Sequence, residues 1–89
     1  MKEKFVVTIT ILETEDGLCE TTEAETLMRL YNYKDVIEYI NECIRDTISN
    51  FDVFEYDIEI DKRLRQNKIF LRIDTEGYHI TKIFKWEKL

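Results

Sequence analysis

Only one stretch of this chain, residues 33–51, repeats its apolar side chains every three to four positions; the stretches flanking it alternate instead. Val36, Ile37, Ile40, Cys43, Ile44, Thr47, Ile48 and Phe51 fall on one stripe of a helix, opposite Lys34, Asp35, Glu38, Asn41, Glu42, Arg45, Asp46 and Ser49. A lone amphipathic helix cannot bury its stripe against itself, so a sheet must receive it. Asn32 is the expected N-cap, with Asp35 in the first turn at the positive end of the helix dipole. Asn50 is the candidate for a left-handed residue after the last turn.

The alternating stretches supply the strands. Residues 4–12 put Phe5, Val7, Ile9 and Ile11 on one face and Val6, Thr8, Thr10 and Leu12 on the other, and Asp16-Gly17 then suits a tight hairpin turn. Residues 18–31 carry two competing patterns. They follow a hairpin turn directly, yet Thr22 and Glu25 match a capping box, and Ala24, Leu27, Met28 and Tyr31 have helical spacing. A strand interrupted near residues 22–25 is the expected compromise. Asp52 to Asp61 alternate Phe54, Tyr56, Ile58 and Ile60 with Glu55, Asp57, Glu59 and Asp61. After a polar loop at 62–67, Ile69, Leu71 and Ile73 alternate with Lys68, Phe70, Arg72 and Asp74. A turn at Gly77 leads to a last strand, Tyr78 to Trp86. Matching apolar sides and opposite charges predicts Ile58 opposite Ile69, Tyr56 opposite Leu71 and Phe54 opposite Ile73, with Glu59 beside Lys68 and Glu55 beside Arg72. The expected fold class is α+β: a single antiparallel β-sheet, ββαβββ in chain order, with one amphipathic helix packed on one face. Its 89 residues form one domain, 1–89, around one core.

Composition removes several classes of function. No apolar run approaches the ~20 residues of a membrane span. The N-terminal residues enter a strand without a signal-peptide pattern, so a cytoplasmic location is expected, the host cytoplasm for a phage-encoded chain. Two cysteines, Cys19 and Cys43, are too few for a disulfide framework or a structural zinc site. No prolines, one alanine and twelve isoleucines suggest a low-GC bacterial or phage source. Glu55, Asp57 and Glu59 share a strand face but lie about 7 Å apart, too far to converge on a cation without help. His79 is the only histidine and has no nucleophile at a fixed spacing; Gly17 and Gly77 fit turns and form no phosphate loop. The chain therefore reads as non-catalytic, without metal or cofactor.

Charge points further. The formal net charge is −6, yet residues 1–61 hold 16 acidic and 5 basic side chains while residues 62–89 hold 3 and 8. Glu13, Glu15, Asp16, Glu20, Glu23 and Glu25 occur within thirteen residues that contain no Lys, Arg or His. With Asp57 and Asp61 they make the candidate partner-binding set, an acidic surface that steers a basic protein toward it. The expected function is a protein-protein interaction module, a small acidic inhibitor or regulator of the kind used in counter-defence by phages and mobile elements, in one form a nucleic-acid mimic. The alternative is a single-stranded nucleic-acid binder that uses Arg63, Arg65, Lys68, Lys82 and Lys85 among the C-terminal aromatics; the overall acidity counts against it. One helix covers one sheet face, and the other would carry Val6, Thr8, Thr10, Leu12, Val53, Phe70 and Ile83. That semi-apolar surface suits a homodimer or a larger partner.

Overall fold

The computed structural model describes residues 4–28, 32–52 and 54–89. Five antiparallel strands form one sheet: β1 (Phe5–Glu15), β2 (Leu18–Met28), β3 (Asp57–Arg63), β4 (Lys68–Thr75) and β5 (Tyr78–Lys88). Their spatial order is β2-β1-β5-β4-β3, which pairs the first strand with the last at the centre of the sheet. Helix α1 (Tyr33–Ile48) connects the two edge strands, β2 and β3, across one face. It runs opposite to β5, from Tyr33 against Trp86 (ring centroids 6.0 Å apart) toward Phe51 against Tyr78 (6.2 Å). An α+β fold with a single sheet and one covering helix is what the periodicities imply.

Local chemistry sets the boundaries. Asn32 is extended and its Oδ1 accepts from the Asp35 amide at 3.0 Å, so the expected N-cap forms. Asp16 and Gly17 take positive φ angles of 49° and 82°, the pattern of a type I′ hairpin. At the next tight turn only Gly77 is positive (80°), and a Cβ there would stand 3.5 Å from Asp16 Oδ1. The core lies between α1 and the sheet: Val36, Ile40 and Ile44 meet Phe5, Val7, Ile69, Leu71, Ile73, Ile80, Phe84 and Trp86. Thr47 is the only buried polar residue among those described, and its hydroxyl donates to the Cys43 carbonyl at 2.9 Å while accepting from Lys82 Nζ at 3.0 Å. Both demands of the hydroxyl are met.

Four expectations need correction. β2 is continuous from Leu18 to Met28, because pairing with β1 along its whole length satisfies the backbone more fully than a single capped turn could. β3 starts at Asp57 rather than Asp52. Asp52 ends the helix connection by accepting the Phe54 amide on its side chain and the Glu55 and Tyr56 amides on its carbonyl, which leaves Phe54 94% exposed. The β3–β4 register is displaced, with Ile58 opposite Ile73, Ile60 opposite Leu71, Glu59 opposite Arg72 and Arg63 opposite Lys68. The cause is a shorter loop: Lys62 and Arg63 remain in the strand, and a 3-10 turn (Leu64–Gln66) followed by left-handed Asn67 (φ 56°) reverses the chain. Asn50 is not left-handed; its side-chain amide donates to the Asp46 carbonyl at 3.1 Å instead. Val53 and residues 29–31, assigned to the open face and to the ambiguous segment, lie outside the described residues.

Candidate functional site: an acidic end and a charged open face

Register converts a charge imbalance along the chain into one along the molecule, whose longest dimension is 48 Å against 24 and 22 Å. The strand ends that carry the two tight turns meet at one end of the sheet, where the Asp16 amide donates to the Gly77 carbonyl at 2.9 Å. Glu13, Glu15, Asp16 and Glu20 gather there, and cross-strand pairing adds Asp57 and Asp74. Glu76 lies in the neighbouring turn, and Glu55 is tied to it through the Thr75 hydroxyl. Among the described residues of these turns and of the adjoining strand positions, the one side chain capable of positive charge is His79, whose Nδ1 is 2.9 Å from Asp74 Oδ1. Lys4, Lys62, Arg63, Arg65, Lys68 and Lys85 lie toward the opposite end.

The acidic end has shape as well as charge. Phe51, Tyr56 and Tyr78 pack with ring centroids 5.1 to 6.4 Å apart and wall a groove of about 390 Å³ rimmed by Glu15, Asp16 and Glu76. A second hollow of about 260 Å³, bounded by Glu13, Glu15, Asp16, Leu18 and Glu20, shares the same ridge. Leu18 is 77% exposed. The Tyr78 hydroxyl donates to Glu13 Oε1 at 3.2 Å; burial, then the Glu13 charge, pushes its phenol above the usual tyrosine value. Carboxylates around half-buried aromatic walls can take the head of a Lys or Arg and pack its alkyl stem.

The eight carboxylates singled out by sequence do not form one surface. Glu13, Glu15, Asp16 and Glu20 come together at the β1–β2 turn, and Asp57 joins that end on the opposite edge. Glu23 and Glu25 lie farther back on the face away from the helix. Asp61 is bound by Arg63, whose Nε and Nη2 each approach Oδ2 at 3.1 Å. The five cations of the alternative separate too. Arg63, Lys68 and Lys85 share one row across β3, β4 and β5 on the open face, with the Arg63 guanidinium 5.0 Å over the Phe70 ring. Lys82 points to the helix side and bonds Thr47, and Arg65 sits in the 3-10 turn.

Sequence reasoning missed Glu55, Asp74, Glu76 and the three aromatic rings as companions of the acidic turn. Only the pairing of β1 with β5 brings them together, and no local pattern encodes that contact. Among the described residues no His, Cys, Asp and Glu grouping could hold a metal ion, and no helix is long and apolar enough to cross a membrane. Comparison with protein families, curated proteins and solved structures finds no match to the chain.

Proposed function

We propose that this chain is a non-catalytic protein-interaction module, a small inhibitor or regulator that docks its acidic end on a basic protein surface. One observation carries the reading: Glu15, Asp16 and Glu76 converge around the Phe51–Tyr56–Tyr78 groove, and exposed Leu18 lines the adjoining hollow. The carboxylates steer a basic partner and fix its orientation, while the apolar side chains supply area that loses water on contact. A field of one sign at the end of an elongated molecule also raises the rate of encounter.

The test is affinity capture from the native host with the tagged full chain, compared with a Glu15→Lys, Glu20→Lys, Glu76→Lys variant that keeps its circular dichroism. The proposal expects a basic protein on the unmodified chain, its retention falling as salt rises because exposed charges are screened beyond ~10 Å at 0.1 M. It expects that protein to be absent from the variant. Capture of the same proteins by both forms would refute the assignment.

A further inference from the structure

The face of the sheet away from α1 has charges that are badly placed for an isolated molecule. Lys85, Lys68 and Arg63 stand directly opposite one another on three adjacent strands. Six residues along, Asp74 and Asp57 stand opposite each other in the same way, beside His79. Like charges facing across a ladder oppose pairing. Among the described residues neither Lys68 nor Lys85 forms an ion pair. Between the two rows Asp61 is already paired within the chain with Arg63, and Glu59 stands opposite Arg72 in the strand register.

We propose that a second copy of this chain covers the open face, its strands running antiparallel, so that the cationic row of each copy lies on the anionic row of the other. The two-fold axis runs across the strands midway between the rows. It sets Arg63 over the other copy's Asp57, Lys68 over its Asp74 and Lys85 over its His79–Asp74 pair, and the symmetry repeats each contact. The centre then joins half-exposed Thr10, Ile83 and Phe70 of one copy to Leu12, Thr81 and Arg72 of the other, and on β3 it sets Glu59 over the other copy's Asp61, whose charge Arg63 of its own chain offsets. Sheets stacked face to face rotate by roughly 30°, which displaces the outer rows by about one strand spacing, within the reach of Lys and Arg side chains.

Size and charge both favour this occupant. Five strands about 4.8 Å apart and nine residues at about 3.3 Å give roughly 600 Å² per copy, about 1,200 Å² in all, the lower bound for a specific interface. A polyanion is a poorer fit, because Glu23, Glu25 and Glu87 adjoin the cationic row on the same face and the face as a whole carries more carboxylates than cations. In the dimer the acidic turns stay outside, one at each end, so the association does not depend on their having a partner.

Sedimentation equilibrium of the full chain over a micromolar to submillimolar series tests the proposal. The unmodified chain is expected at about twice 10.8 kDa. Lys68→Glu relieves the cationic row within one molecule but faces Asp74 of the second copy, and is expected to raise the dimer dissociation constant about 100-fold. Asp74→Lys alone should do the same. Lys68→Glu with Asp74→Lys in one chain restores complementarity between copies and the dimeric mass. These residues are six positions apart on one strand, so rescue can only pass between molecules. A monomer at every concentration, a dimer indifferent to the single changes, failure of the double change to rescue, or a monomer held by single-stranded DNA through Lys68 would each overturn the inference. Reversing Glu15 and Glu20 should leave the mass unchanged, which separates this result from the fate of the acidic-end proposal.

Discussion

Tyr78 shows how much one side chain can report about the acidic end. Its hydroxyl donates to Glu13 Oε1 at 3.2 Å, and burial together with the Glu13 charge holds the phenol in its neutral form. A value raised above about 10 means that the stabilisation is fully present below that pH and is lost as pH climbs through the folded-state value. Urea unfolding followed from neutral to strongly alkaline pH should show this loss. Tyr78→Phe should flatten it, at a cost of about 1 kcal/mol near neutrality for the missing hydrogen bond. Asn67 makes a second residue-scale prediction. With φ at 56°, Asn67→Ala should lower the urea midpoint by the equivalent of about 1 kcal/mol, and Asn67→Gly should leave it nearly unchanged. Asp16-Gly17 was readable as a turn from its letters alone, whereas Asn67 was not, because its role follows from where β3 stops.

At the scale of elements, legibility followed the length of the repeating pattern. The helix has sixteen residues with a cap at Asn32, and its stripe meets the core at Val36, Ile40 and Ile44. Ile40→Ala leaves a cavity at a position with no solvent exposure and should cost about 2–5 kcal/mol by chemical denaturation. β3 was less readable. Several registers keep its isoleucines on the core side and pair acids with bases, and the choice among them depends on the loop. The 3-10 turn at Leu64–Gln66 decided it, moving Glu59 from Lys68 to Arg72. β2 resisted for another reason. As an edge strand with exposed Glu20, Glu23 and Glu25, it needs no apolar alternation, and the same charges discourage edge-to-edge aggregation.

The whole molecule is where sequence and structure differ most in form. Along the chain the carboxylates are crowded into the first two-thirds; in space only a subset, Glu13, Glu15, Asp16, Glu20, Asp57, Asp74 and Glu76, gathers at one end, because β1 pairs with both β2 and β5. That topology brings Glu76 beside Asp16 and strands Glu23, Glu25 and Asp61 away from them. The most direct test of the central claim is a nuclear magnetic resonance titration of the full chain with a short arginine-rich peptide at low salt. The account predicts amide shift changes concentrated at residues 15–18 and 75–78, with affinity falling as salt rises and vanishing in the Glu15→Lys, Glu20→Lys, Glu76→Lys variant. Changes spread evenly over Glu23, Glu25, Glu42 and Glu87, or an affinity unaltered by that variant, would contradict it.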